Sequence, residues 1–302
     1  YPSTLIEGVD ATTHTGIITT QEPLSAIEYL RKTAYDKRGA PFFFYQTFDG
    51  VAKCSSLSYL ADEGTNPVYN TYVKLNGYYA DPNTVADYKE RAARILTVKS
   101  DLEMSKVFQG VRGAYASKNY YLDITNKSYK SRVFDFAGED NYALFQENTL
   151  NKQRKVLSDS FQIGKDNTDK LNKLPDSHHE YIATNPGAFG TQDNYSIDLY
   201  KNIDKINSYS ALLESITNTI TLHGDFNLNA GRKIKLVFPK AIQSDVSSFY
   251  NDANSNDNHE DKILSGNYLI VSVNHTFKFS DDCNSHYCSL NVAKDTIVTT
   301  DT

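Results

Sequence analysis

Apolar and polar residues alternate through the C-terminal part of the chain. In the first run, Ile216, Ile220 and Leu222 alternate with Thr217, Thr219, Thr221 and His223. In the second, within LHGDFNLNAGRKIKLVFPK (222–240), Ile234, Leu236 and Phe238 alternate with Lys233, Lys235 and Val237. Leu269, Val271, Val273, His275 and Phe277 share one face of a third run, and Cys288, Leu290 and Val292 one face of a fourth. A period of two over consecutive runs, joined by a short glycine turn and one long polar excursion, predicts antiparallel strands with one buried face. Short strands of this kind remove their exposed edges by closing, so a small β-barrel is expected. On this face assignment Val271→Asp would bury an unpaired charge and destabilise the barrel.

Upstream, residues 1–20 are polar and β-prone and read as a connector. QEPLSAIEYLRKTAYD (21–36) has helical spacing, with Pro23 in the first turn and Leu24, Ile27, Leu30 and Ala34 as the inward stripe. In PFFFYQTFDGVAKCSSLSYL (41–60), Asp49-Gly50 between two apolar runs predicts a hairpin. Residues 61–82 read as a loop with a short strand in YNTYVKL (69–75). TVADYKERAARILTV (84–98) predicts a second helix behind an Asn83 cap, with Val85, Tyr88, Ala92 and Ile95 inward. The 104–136 stretch reads as two strands turning near Asn126-Lys127, with Gly110 and Gly113 marking a bulge or a close backbone approach. Residues 137–195 have weak periodicity and are rich in Asn, Asp, Lys and Ser. KNIDKINSYSALLES (201–215) predicts a helix leading into the final strands, and 244–262 a long polar loop. The expected class is α+β, mainly β: a small, discontinuous antiparallel barrel beside an α+β domain.

Composition adds bounds to this picture. A length of 302 residues suits more than one domain, and 39% hydrophobic content supports a folded core. Tyr (22) exceeds Phe (15), which suits sheet faces and protein interfaces. A net charge of −6 argues against a surface that grips nucleic acid through its phosphates. Cys54, Cys283 and Cys288 make neither a disulfide framework nor a zinc spacing, which suits a reducing origin such as bacterial cytoplasm. No run has the length of a membrane span, and no signal peptide is visible. The chain opens at Tyr1 as though inside a longer protein, so a preceding region is expected.

The search for chemistry returns little. His178-His179-Glu180 is metal-like in composition, but neighbouring residues of an extended chain point to opposite sides, so it reads as a polar surface segment. DANSNDNHEDKI (252–263) places Asp252, Asn254 and Asn256 like a calcium loop. It has Asp257 where the turn needs Gly and Ile263 where a bidentate Glu is needed, so it reads as a solvated loop. His275, alone on an apolar strand face, reads as a hydrogen-bonded core residue. Cys283 and Cys288 flank a turn, and a catalytic or redox role would need a basic neighbour to activate a thiol. There is no nucleophile elbow and no Gly-rich phosphate loop. No catalytic, cofactor-binding or metal-ligating set is therefore expected, and a structural or binding protein is favoured over an enzyme.

Three stretches carry a resemblance. They are EPLSAIEYLRKTAYDKRGAPFFFYQTFDGVAKCSSLSYL (22–60), VFQGVRGAYASKNYYLDITNKSY (107–129), and the terminal block HGDFNLNAGRKIKLVFP, LSGNYLIVSVNHTF and CSLNVAKD. In this order they resemble the T-even-type baseplate central hub proteins of contractile-tailed bacteriophages. The signature falls on Gly224, Leu228, Gly231, Leu236, Ser265, Gly266, Tyr268, Leu269 and His275. The resemblance implies a virion protein assembled in the bacterial host cytoplasm. It implies a homotrimer whose chains each carry two tube-type barrels, so that three chains adapt a threefold central spike to a sixfold tail tube and form part of the ejection channel. Partners would be the chain itself, the spike, the tail tube or tube-initiator protein and baseplate wedge proteins, with DNA only as passing cargo. It further implies a connector and α+β domain at 1–102, a second barrel from 103–136 together with 201–302, and an insertion at 137–200 packing on the α+β domain. The first barrel would lie upstream of Tyr1.

Two other readings compete. A receptor- or glycan-binding tail protein would use the Tyr and Asn content in a shallow aromatic site. A hydrolase on a β-scaffold would use His178, His179 and Glu180.

Overall fold

The computed structural model describes residues 5–7, 22–74, 92–101, 113–123, 127–136, 145, 147–151, 178–184, 203–213, 216–239, 260–261, 263–279 and 284–296. The architecture is α+β and mainly β. Strand β1 (Leu5–Glu7) pairs in parallel with β3 (Ala52–Ser56), which forms a hairpin with β2 (Phe42–Gln46) across the Asp49-Gly50 turn. Helix α1 (Pro23–Thr33) lies between β1 and β2 in the chain and α2 (Leu57–Ala61) follows β3, capped by the Ser56 hydroxyl accepting the Tyr59 N–H. A second three-stranded sheet joins the hairpin β6 (Ala116–Asp123) and β7 (Ser128–Asp135) to β8 (His179–Thr184), which adds in parallel to β6. The chain reverses between Asp123 and Ser128, with Lys127 at φ +52°; Asn126 lies outside the described residues.

The largest sheet has six strands. β4 (Thr71–Val73), β10 (Lys233–Val237), β11 (Gly266–Lys278), β12 (Ser285–Lys294), β9 (Ile216–His223) and β5 (Ile95–Asp101) are neighbours in that order. Every pairing is antiparallel except β4 with β10. The two edge strands meet where Val73 bridges Arg94, with the Val73 N–H donating to Ala93 O at 3.0 Å. The sheet thus curls until its edges touch, as barrel closure requires. Its interior is filled by Tyr72, Ile95, Ile216, Ile220, Leu222, Leu228, Ile234, Leu236, Tyr268, Ile270, Cys288, Leu290 and Val292. Burying each of the larger aliphatic side chains favours the fold by about 1.5–3 kcal/mol. Inside, the Asn218 amide donates to Tyr268 Oη at 3.1 Å, and that hydroxyl donates to Leu264 O at 2.5 Å, so the polar atoms they share are paired.

The predicted alternation holds in β9 and β12. It breaks in β11, where the pairing with β12 shifts between Ile270 and Ser272. This bulge adds one residue, Val271, and reverses the parity of the strand. Tyr268 and Ile270 before it share the inward face with Val273 after it, whereas Val271 is 56% exposed. Leu269 points outward from the barrel into a second core with Leu57, Leu60, Tyr115, Phe134, Phe136, Phe145, Leu150 and Leu212. The single face expected for Leu269, Val271 and Val273 is corrected accordingly.

That second core explains a further departure. Lys233, expected on a polar face, is fully buried and its ammonium donates to Ala61 O at 2.9 Å, because the outer side of β10 is also covered. Lys294 is likewise buried, donating to Ile263 O and Ser265 O at 2.7 Å each.

Two helical expectations change. Residues 95–98 are strand, with Ile95 inside the barrel, because pairing with β9 outweighs local helical spacing; residues 84–91 lie outside the described residues. Helix α1 forms as expected, but Leu24 and Leu30 are 69% and 46% exposed, and the small Ala26 is buried. The strands of 103–136 pair with β8 rather than with those of 201–302; the sixth strand and the closing edge come from 71–101 instead. Helix α3 (Ile203–Leu213) enters the final strands as expected and covers β6, where Ser117 Oγ and Asn119 Nδ2 donate to Asp204 Oδ1 at 2.5 and 2.7 Å. Among the described residues no helix is long and apolar enough to cross a membrane.

Val271→Asp is expected to change stability by no more than about 0.5 kcal/mol, whereas Ile270→Ala should cost about 2–4 kcal/mol in denaturant unfolding. Asp295 gives a pH signature. Its Oδ2 accepts the Leu150 N–H at 2.6 Å, yet burial pushes the carboxyl up to about 6. The folded chain therefore binds more protons than the unfolded chain between the ordinary carboxylate range and about 6. Stability from this group is full below that window and is lost as pH rises through it. Asp295→Asn should gain on the unsubstituted chain by about 3 kcal/mol between roughly pH 4 and pH 7, read from paired melting curves.

Candidate functional site

At one end of the barrel the inward face of β11 continues from Val273 to His275, and that of β12 from Leu290 through Cys288 to His286. Antiparallel register places His275 opposite Cys288 and Phe277 opposite His286. Three side chains converge as a result. His275 Nδ1 lies 3.1 Å from His286 Nε2 and 3.2 Å from Cys288 Sγ, and Cys288 Sγ lies 3.8 Å from His286 Nε2. Cys288 is fully buried and both imidazoles are half-buried. His275 Nε2 is buried with no hydrogen-bond partner among the described residues.

The β9–β10 connection, Gly224 to Arg232, crosses this mouth. The Asp225 N–H donates to Cys288 Sγ at 3.4 Å, Leu228 is fully buried, and Phe226 stacks on His275 and packs at a tilt on His286, with ring centroids 5.8 and 4.7 Å apart. Phe277 stacks on His286 at 4.4 Å. The tip of the β2–β3 hairpin completes the rim: Phe48 packs on His275 at 4.7 Å, and its N–H donates to Asn229 Oδ1 at 2.7 Å.

Burial, then the neighbouring His286, lowers the His275 pKa, which favours a neutral ring. Burial pushes the Cys288 thiol up. A reactive cysteine needs the opposite shift, so this thiol is not a primed nucleophile. What the cluster offers is a soft donor set of two imidazoles and one sulfur, all within 4.8 Å.

The signature residues have physical roles at this mouth and elsewhere in the barrel. The Gly224 N–H donates to His286 O at 2.8 Å, and a Cβ on Gly224 would meet His286 Nδ1 at 2.0 Å, so only glycine lets the ring lie there. Gly231 combines φ +79° with the Tyr45 ring 2.4 Å from a would-be Cβ. Leu228, Leu236 and Tyr268 fill the interior, Gly266 opens β11 opposite Leu236, and Leu269 serves the second core. Beside Gly231 a cavity of about 400 Å³ opens between the β2–β3 hairpin and residues 229–232, lined by Tyr45, Lys53, Tyr69 and Arg232 among others.

The sequence missed this cluster. In sequence His275 stands as a lone core histidine and Cys288 as a thiol beside a turn, and nothing marks His286. The signal present was His286-x-Cys288, which shares one strand face. Only the hairpin register adds His275. By contrast, His178, His179 and Glu180 do not converge. His179 and Glu180 are successive residues of β8, His179 stacks on Tyr120, and His178 packs against Gly113, where a Cβ would meet His178 Cβ at 2.9 Å. The close approach expected at Gly113 is present; Gly110 lies outside the described residues. In the calcium-like loop, 252–259 lie outside the described residues, and Asp261 Oδ1 accepts the N–H groups of Ile263 and Leu264. Cys283 lies outside the described residues.

No family model and no curated protein matches the sequence. Among solved structures, the chain is similar to the tail protein from Neisseria meningitidis MC58, with 11% identity, a TM-score of 0.46, and coverage of 98% of this chain and 62% of that one. It is also similar to the 43 kDa tail protein of prophage MuSo2 from Shewanella oneidensis, with 9% identity, a TM-score of 0.40, and coverage of 99% and 61%. The chain spans about three fifths of the length of each of these proteins.

Gly224→Ala is expected to cost about 1–3 kcal/mol by driving a methyl into the His286 ring. Adding His286→Ala should return part of that loss, and a double-mutant cycle in urea measures the coupling.

Proposed function

We propose that the chain is a structural subunit of a contractile phage-type tail, acting in the baseplate hub. Three copies would form a ring that adapts a threefold spike to a sixfold tube and lines part of the ejection channel. The observation that supports this reading most directly is the packing of the segments that carry the hub resemblance. The terminal block builds three strands of the curled sheet, β10, β11 and β12, and the aromatic hairpin of 41–60 docks its tip on that block through Phe48 and Asn229. The 107–129 stretch supplies β6, the central strand of the second three-stranded sheet, whose neighbours Tyr115 and Phe134 share the second core with Leu269. A subunit with a filled barrel suits assembly through its outer surfaces rather than turnover in a cleft. The acidic balance of −6 suits a channel wall that repels passing DNA. Partners on this reading are further copies of the chain, the spike, the tube or tube-initiator protein and the wedges. No enzymatic activity is assigned.

A second reading, glycan or receptor binding by a tail protein, draws on one feature. On the outer face of the second three-stranded sheet, Tyr120 stacks on Tyr181 at 4.7 Å and on Tyr129 at 5.7 Å, and Tyr181 and Tyr129 are 67% and 57% exposed. Such a shallow aromatic ladder is the kind of surface on which sugar rings stack.

Light scattering on the purified protein is expected to give three times the chain mass of 34.0 kDa, and negative-stain averages a ring with a central hole. A stable monomer that binds no spike protein would refute the hub reading. Glycan-array binding abolished by Tyr181→Ala would establish the second reading in its place.

A further inference from the structure

The barrel mouth carries a feature that an assembly role does not require. Three ligand-type atoms, His275 Nδ1, His286 Nε2 and Cys288 Sγ, face one another within 4.8 Å, two imidazoles and a sulfur brought to one point by strand register.

The distances suit one shared ion. Donors on one tetrahedral zinc, with Zn–N about 2.0–2.1 Å and Zn–S about 2.3 Å, stand roughly 3.3–3.6 Å apart. The observed edges are 3.1, 3.2 and 3.8 Å. A triangle with these edges has a centre about 2.0 Å from each corner, and a small lift out of its plane reaches bonding distance to all three atoms. We propose that His275 Nδ1, His286 Nε2 and Cys288 Sγ bind a divalent transition-metal ion, zinc in the first instance, which closes the mouth of the barrel.

The chemistry of the donors suits this ion. Two imidazoles and a thiolate match zinc and disfavour magnesium or calcium, which take oxygen ligands. Binding would displace the thiol proton of Cys288 to solvent, and the sulfur would bond the metal as thiolate. Three protein donors leave a fourth position to water or to a donor from another molecule. Access runs past the half-buried imidazoles between the exposed rings of Phe48, Phe226 and Phe277. The ion would tie β11 to β12 at the far end of their hairpin, beyond the bulge, where β11 is otherwise largely exposed. Gly224 contributes by leaving room for the His286 ring. This role is independent of the tail assignment.

The test uses the full chain, purified and dialysed against chelator-treated buffer. Elemental analysis is expected to find one zinc retained per chain, and chelation with EDTA to lower the melting temperature until zinc is restored. Cobalt(II) added to the metal-free protein should give a thiolate-to-cobalt charge-transfer band. Cys288→Ser should lose the band and the zinc, His286→Gln should lose the zinc, and His179→Gln should keep both. A folded unsubstituted chain that retains no zinc and gives no thiolate–cobalt band would overturn the proposal. So would a folded Cys288→Ser variant that retains zinc as tightly as the parent. Circular dichroism of each variant separates lost binding from lost folding.

Discussion

The pairing of β11 with β12 is the constraint on which most of this molecule depends. Their register runs from Leu269 opposite Ala293 to Lys278 opposite Ser285, with one bulge. Because side chains alternate with period two, that single inserted residue decides which half of β11 faces inward. Before the bulge, Tyr268 and Ile270 fill the barrel and Leu269 serves the core behind it. After the bulge, Val273 and His275 take the inward positions. Without the shift, Val271, Val273 and His275 would all lie on the same side as Leu269, away from Cys288.

Sheet closure follows from a second, smaller constraint. Strands β4 and β5 come from a part of the chain far from β9–β12, yet they supply both edges and meet at Val73 and Arg94. An edge left open would expose unpaired backbone groups to other chains. The contact places Ile95 and Tyr72 inside with the C-terminal strands, so residues 71–101 are an integral part of the barrel wall.

Polar burial shows how tightly the barrel and its neighbours are fitted. Lys233 and Lys294 lie buried on the strands and give their ammonium protons to backbone carbonyls. Asp295, next to Lys294, accepts a backbone N–H from Leu150, a residue of the second core. The Lys233 and Asp295 contacts bind the outer side of the sheet to the segments around it, while Lys294, on the inward face with Val292, lies over the Tyr268 ring, and in a low-dielectric interior each contact would be costly to leave unmade. The same fit at the mouth explains Gly224 and Gly231, whose missing side chains admit His286 and Tyr45.

The sequence by itself determined the mainly β class, the Asp49-Gly50 hairpin, helix α3, and the inward faces of β9 and β12. In each of these the periodicity is local and one burial pattern satisfies it. Tertiary structure alone decided the rest. The bulge at Val271 cannot be seen in a run that alternates without interruption. The strand at 95–101 reads as helix until β9 offers it hydrogen bonds. Lys233 looks solvated until a second core covers β10. The His275–His286–Cys288 cluster needed the register of two strands and a glycine-bearing crossing loop to bring its atoms together. Local spacing sets which way a side chain can point; only the pairing partner sets what it will meet there.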